Sequence, residues 1–467
     1  MFTRRQFLTR TTALGAAGAV CGATGAIGGA TATGLLTSCT GANKEAALTP
    51  LESDIPVYIP VTGDKANDGR EVRVGIIGCG SRGSGATGNL LTAADKVRIV
   101  AMADMFPDRL ETLRKYIREE WQQTIPDDKI YYGFEAYQQL CQLPEVDMVL
   151  IATPSIFHAI HTQYAIQQGK HVFCEKAAGI DPVSCRTFLA AIKQAQSKGL
   201  CIQTGAQRHH QRAYVESYRR VREGMIGRIT GGVVKWNQGA MTYRKRRPEW
   251  TDMEYMLRDF FSWNWLCGDH VIDQLVHNID VFTWFSHLKP ISVVGMGSQL
   301  QRRTGDIFDN FALDIVYPGG VRVNAQARQI EGCANDISET ITGTRGIWTS
   351  KDMSIRDFDG NLLWQYDHEA EKSQFKQTDP YVLEHMDLIN HIRSGEPMTW
   401  EAEMLVTSSL TGAMGRESAY TGAEVKWDEY IVSNQSLMPE KLHLGNIKDF
   451  DKIYVAPKMG KLAPEMN

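Results

Sequence analysis

Paired cysteines, sequence repeats, heptad runs and any large excess of one charge are all missing from this chain of 467 residues. Nine cysteines are scattered at 21, 39, 79, 141, 174, 185, 201, 267 and 333, and none forms CxxC. That spacing excludes a zinc ribbon or dithiol centre, and a chain of this size needs no disulfide framework. Cysteines inside apolar runs, such as Cys174 in HVFCEK and Cys201 in GLCIQTG, read as small core residues. A formal net charge of −4 and a pI of about 6.3 give no global field to gather nucleic acid or an anionic membrane surface. What is present, 43% hydrophobic and 22% charged residues, is the balance of a soluble globular protein. The length calls for two folded units, because a single core stops growing well below it.

The first residues read as an address. Thr3, Arg4, Arg5, Phe7 and Leu8 precede an uncharged stretch from Thr11 to Thr37 that carries seven glycines. A twin arginine before a weakly apolar, glycine-rich stretch fits a Tat signal better than a membrane span. The stretch ends Leu36-Thr37-Ser38-Cys39, a lipobox pattern that makes Cys39 the expected lipidated first residue of the mature protein. Residues 1–38 are therefore read as signal peptide and 39–70, without periodicity, as a tether. The expected location is the periplasm or cell envelope, with the lipid as the sole membrane contact.

From 71 to 207 strands and helices alternate. EVRVGII (Glu71–Ile77) runs into Gly78-Cys79-Gly80-Ser81-Arg82-Gly83, and a helical stretch follows. This is GxGxxG in its strand–turn–helix setting: Gly78 for the tight turn, Gly80 for approach of a pyrophosphate, Gly83 for close helix packing. The next strand, Val97–Ala103, ends in Asp104, placed to meet the adenosine ribose and to favour NAD over NADP. Further strands at Asp147–Ala152, His171–Cys174 and Leu200–Thr204 complete a doubly wound α/β pattern. Thr153, Pro154, His158, Glu175 and Lys176 all follow strand ends, the edge at which such sheets bind ligands.

From 208 to 428 alternating runs at Gly231–Asn237, Ile291–Met296, Phe311–Tyr317, Val321–Ala327 and Ser338–Thr344 predict an open, mostly antiparallel sheet in an α/β substrate domain. Residues 429–467 read as an extended arm, of a kind that embraces a neighbouring subunit. The polar run Gly268–Asp280 is the expected seat of chemistry. If helical, it sets Asp273 and His277 one turn apart, with His270 close to the same face. A histidine suits the proton transfer that accompanies hydride loss from a hydroxyl-bearing carbon, and Asp273 can orient it. Two other readings stand beside this: a core histidine satisfied by a carboxylate, and a metal set of His270, Asp273 and His277. Gln207, Arg208, His270 and Trp236 are candidates for the substrate wall. Arg244-Lys245-Arg246-Arg247 reads as a solvated loop, or as a seat for an acidic sugar.

The TPxxxH step at Thr153–His158 and the Glu175-Lys176 pair resemble the glucose–fructose oxidoreductase/inositol dehydrogenase (Gfo/Idh/MocA) family over roughly 71–428. That family has Glu-Lys-Pro where this chain has Glu175-Lys176-Ala177, so the loop geometry at that turn is in question. The resemblance implies an NAD(H)-dependent oxidoreductase with Glu175 on the cofactor and Lys176 beside the nicotinamide. It also matches the family's DxxxH pair to Asp273 and His277, which gives Lys176, Asp273 and His277 as the catalytic set, with no metal. It implies a sugar or glycoside substrate and a homodimer or homotetramer formed through the open sheet. Export as a folded protein adds that the dinucleotide travels bound, is held tightly and is recycled in place. Two other functions remain: an NAD-dependent glycosidase acting by transient oxidation and elimination, and a non-catalytic sugar-binding lipoprotein. The resemblance implies that glycosidases of this scaffold carry a Tyr-Pro-Thr-His-Gly stretch and lack the lysine after Glu; this chain has Lys176 and no such stretch.

Overall fold

The structure, a computed structural model, describes residues 63–458. The twin-arginine leader, Cys39 and most of the tether lie outside the described residues, as do the last nine residues of the arm.

Six strands, β1 (Val72–Ile77), β2 (Val97–Asp104), β3 (Ile130–Tyr132), β4 (Met148–Ile151), β5 (His171–Cys174) and β6 (Ile202–Thr204), form one parallel sheet in the order β3-β2-β1-β4-β5-β6. Its strands are apolar almost throughout because helices cover both faces; every residue of β4 is buried. The order reverses between β1 and β4, which opens a crevice at their carboxyl ends. Helices Ser81–Ala93, Pro107–Trp121, Ala136–Cys141, Ser155–Gln167 and Pro182–Lys198 make the crossovers. The last begins at a capping box in which Asp181 accepts from the Ser184 amide at 2.7 Å.

Nine further strands form the second sheet: β7 (Ile229–Gln238), β8 (Ser292–Ser298), β9 (Asn310–Val316), β10 (Arg322–Gln329), β11 (Asp336–Gly343), β12 (Ile347–Thr349), β13 (Ser354–Arg356), β14 (Leu362–Gln365) and β15 (Val425–Lys426). Their order is β14-β13-β12-β11-β7-β10-β9-β8-β15, and every pair is antiparallel except β7 with β10. The alternation in β10 turns Val323, Ala325 and Ala327 into the core, on a sheet whose neighbouring strands pack against helices Val276–Ser286 (β7, β11) and Trp400–Thr421 (β8, β9). The opposite face leaves Val294, Met296 and Ile337 exposed.

Helix Pro380–Ser394 returns to pack on Ser81–Ala93. Helix Trp400–Thr421 joins the halves: Glu401 accepts from the Thr204 hydroxyl at 2.6 Å, while Leu313 of β9 fits against Gly415. The described part of the arm docks on its own chain. Leu437 N donates to Asp181, and Ile447 N donates to Asp252, both at 2.7 Å. Six of the seven described cysteines are buried; Cys333 is exposed.

Candidate active site

A cleft of about 1160 Å³ runs along the carboxyl edge of the parallel sheet and is closed from above by the second domain. It exceeds the ~300–1,000 Å³ of a site for one drug-sized molecule, so there is room for a dinucleotide and a second reactant.

The glycine turn forms its floor. Gly78 has φ +95°, and a Cβ there would lie 2.6 Å from the Ala152 carbonyl carbon. A Cβ on Gly83 would lie 1.9 Å from the Gly78 carbonyl oxygen, so neither position takes a side chain. Gly80 differs. A Cβ there would meet only the Arg109 guanidinium, 4.0 Å away, so the bare backbone faces open cleft. Helix Ser81–Ala93 starts at this point with no side-chain cap and no acidic residue in its first turn. Its free N–H groups and dipole suit a pyrophosphate, and the cradle therefore fits a dinucleotide.

Asp104 lines the cleft at the end of β2. One carboxylate oxygen accepts from Cys79 N at 2.6 Å and the other from Phe106 N at 2.9 Å. Each oxygen keeps a lone pair for a ribose hydroxyl. Burial pushes this carboxyl above its ordinary pKa. Asp104→Ala is expected to weaken NAD binding at least tenfold and to lower the melting temperature, because two backbone N–H groups lose their acceptor. Titration calorimetry and thermal denaturation check both.

The opposite wall is built by the β5 loop. Arg82 donates to Glu175, and its guanidinium also lies 3.7 Å from Glu384. Burial, and then the charge of Glu175, push the fully buried Glu384 carboxyl well above the usual range. Beyond Glu175 the Lys176–Ala177 peptide is cis. Lys176 Nζ donates to the Asp273 main-chain oxygen and to its carboxylate, the latter at 3.1 Å. The second Asp273 carboxylate oxygen accepts from Gln274 Nε2 at 2.8 Å. His277 stands beside this pair, stacked on Trp236 with ring centroids 5.6 Å apart. Its ring nitrogens make no hydrogen bond with another described residue. Burial, then the charges of Lys176, Arg208 and Arg82, hold its imidazole well below the ordinary histidine pKa, in the neutral, proton-accepting form. Gln207 joins the wall and donates to the Tyr381 hydroxyl at 3.2 Å.

Four expectations are corrected. The run Gly268–Asp280 is not one helix: it breaks after His270–Asp273 and resumes at Val276–Ser286. Asp273 consequently bonds Lys176 and Gln274, not His277. His270 does not face substrate; it is buried against Phe311 and bonded to Asp269, so it does not join Asp273 and His277 in a metal-binding set. Arg208 is committed to buried Glu339 and stands behind Trp236, off the cleft wall. His158 does not line the cofactor path. Its ring lies between the Ala177 carbonyl at 2.7 Å and the Thr153 carbonyl at 2.8 Å, tying the two strand-end loops together.

Thr153, Pro154, Ser81 and Lys176 do line the cleft. Arg109, close in sequence to Asp104, lines the cleft; the sequence reading missed Phe106, Tyr137, His161, Phe260 and Phe261, which line it as well. Single aromatic residues carry no signal of which cleft they will face, so only Tyr243 and the RKRR run beside it hinted at this wall; Tyr243 and Arg244 reach the cleft.

Two family models match the chain: an oxidoreductase family with an NAD-binding Rossmann fold over residues 72–205, and the GFO/IDH/MocA C-terminal domain over 214–349. Together they span more than half of it. Among curated proteins, glycosyl hydrolase family 109 protein 3 of Phocaeicola vulgatus is 35% identical over 125 residues, which are 27% of this chain and 22% of that protein. The scyllo-inositol 2-dehydrogenase (NADP(+)) of Bacillus subtilis is 27% identical over 272 residues, 56% of this chain and 66% of that one. The chain thus spans less than two thirds of the curated relatives it matches. A scyllo-inositol dehydrogenase structure from Lactobacillus casei, with bound NAD(H) and scyllo-inositol, shares the fold with TM-score 0.58 and 20% identity, covering 78% of this chain and all of that one.

Proposed function

The chain belongs to the Gfo/Idh/MocA family of NAD-binding oxidoreductases, and on that premise we propose that it exchanges hydride between a sugar, cyclitol or glycoside carbon and a bound nicotinamide. One observation carries this reading: Lys176 paired with Asp273, and a neutral His277, share one cleft with the bare backbone at Gly80. The nicotinamide, when bound, supplies the two-electron acceptor or donor. His277 accepts the hydroxyl proton as the carbon–hydrogen bond is lost, and returns it in the reverse direction. Two of the Lys176 ammonium protons are engaged by Asp273; the third is left for the substrate oxygen, whose developing negative charge it stabilises. Asp273 positions that ammonium, and Trp236 backs the imidazole.

The second reading, a redox-neutral glycosidase, draws support from the glycosyl hydrolase family 109 relatives, whose similarity lies in short stretches of 110–213 residues. Lys176 favours net oxidoreduction. The test is to add cyclitols, aldoses and glycosides to desalted protein while following the near-ultraviolet absorbance of reduced nicotinamide. A rise with one substrate class supports the dehydrogenase. Aglycone released without that rise replaces it with the glycosidase. Retained dinucleotide with neither change leaves the sugar-binding lipoprotein.

Export through the twin-arginine leader and anchoring at Cys39 belong to the same proposal, supported by the sequence of residues 1–39. Pairing of copies through the open sheet face is supported by exposed Val294, Met296 and Ile337. Met296→Glu is expected to lower the molar mass in solution, measured by light scattering.

A further inference from the structure

At the Asp104 end the cleft is not open. Segment 242–261 of the second domain lies over it, and Arg258 is bound there in a two-pronged ion pair to Asp108, with both N–O distances 3.0 Å across 150 residues of sequence. The same guanidinium lies over the Phe106 ring at 3.9 Å and is held from behind by Glu254 at 2.8 Å. Its helix, Asp252–Arg258, is in turn braced by the arm. The Asp252 carboxylate accepts from Ile447 N and pairs with Arg246, both at 2.7 Å, while Met253 N donates to the Gly445 carbonyl at 3.1 Å. Further along the arm, Phe450 and Tyr454 pack on Trp263.

A dinucleotide whose pyrophosphate lies at Gly80 and whose ribose meets Asp104 places its adenosine beneath this segment. We infer that segment 242–261, tied down by Arg258–Asp108 and braced by the C-terminal arm, is a strap that retains the dinucleotide as a resident cofactor. The inference rests on the cofactor reading of the cleft and adds the residues that set the lifetime of the complex. Release requires the Arg258–Asp108 tie to open, so these residues govern the off-rate, where most affinity differences between related complexes lie. Asp108 and Arg258 are positioning residues; they do not touch the reacting atoms.

The experiment loads intact protein with a fluorescent ethenoadenine analogue of NAD, chases it with excess NAD and follows release by fluorescence. Asp108→Asn and Arg258→Gln are each expected to speed release at least tenfold, and the double variant little more, because both remove one contact. Asp108→Glu is expected to keep slow release. Added salt should speed release from the wild type and not from Asp108→Asn, since the tie is partly solvent-exposed. Melting temperatures of the ligand-free variants serve as the folding control, with Asp252→Asn as a second route that loosens the brace without touching the tie. Release at the wild-type rate from both single variants overturns the strap. Wild-type protein that takes up no analogue overturns the cofactor reading itself, a different result from retained analogue with unchanged release.

Discussion

Lys176→Met is expected to reduce kcat/KM by about 10³-fold or more while the protein keeps its dinucleotide. The side chain reaches from the β5 loop to Asp273, 97 residues along the chain, and donates to both the main chain and the carboxylate there. Methionine preserves the stem and removes the charge. An oxygen losing its proton in the cleft then loses its nearest cation, and one preorganised donor of this kind is worth ~10²–10³ in rate. General acid–base work adds ~10²–10⁴ where the proton path is disturbed as well. The dinucleotide contacts at Gly80 and Asp104 are untouched, so bound dinucleotide per chain, measured after desalting, should match the wild type. Lys176→Arg should rescue little, because a planar fork does not replace a compact ammonium between two oxygens of one residue. Full turnover by Lys176→Met would remove this residue from the chemistry.

His277→Ala is expected to cost ~10²–10⁴ in kcat/KM, with binding of dinucleotide retained. The pH profile tells this role from a packing role. Burial and three neighbouring cations hold the imidazole well below the 6.5 of a free histidine, so it stays neutral through the ordinary histidine range. The acid limb of the wild-type profile should therefore fall well below pH 6.5, where His277 finally takes a proton and stops acting as a base. In His277→Ala that limb should disappear and the residual rate should be flat across the same window. Stability follows the same sign. As pH falls from 6.5 through the lowered native value, the unfolded chain binds this proton and the native chain does not, so the native state loses stability on acidification. Replacing His277 with Asn removes that share of the acid sensitivity, which thermal denaturation between pH 7 and 5 measures. A wild-type limb near 6.5 that persists in His277→Ala would assign the titration to another group.

Much of the parallel half was legible because its signals are local. The strands at Val72–Ile77 and Met148–Ile151 are short apolar runs, and the glycine turn is a motif of six consecutive residues whose steric demands the backbone meets as expected. Helices at Ser155–Gln167 and Pro182–Lys198 were readable from period and breakers. The strand β3 and the helix Ala136–Cys141 were not, being too short to show a period. In the second domain the long strands were visible by alternation, whereas the three-residue strands β12 and β13 owe their existence to pairing with neighbours.

The sequence by itself determined that a dinucleotide turn exists, which strand precedes it, that an acidic residue ends the next strand, and that a lysine follows β5. These are properties of neighbours along the chain, where sterics and hydrogen bonding act over a few residues. Tertiary structure alone decided which polar side chains became chemical and which became core. His270 and His277 are both histidines of one short run, yet the break at Gln274–Leu275 turns the first onto Phe311 and leaves the second on Trp236 at the cleft. Asp273 bonds Lys176, and Arg258 bonds Asp108, across 97 and 150 residues. Such pairs form because packing two sheets around one cleft brings distant loops within the few ångströms at which charges and hydrogen bonds act, and no periodicity in the chain encodes that distance.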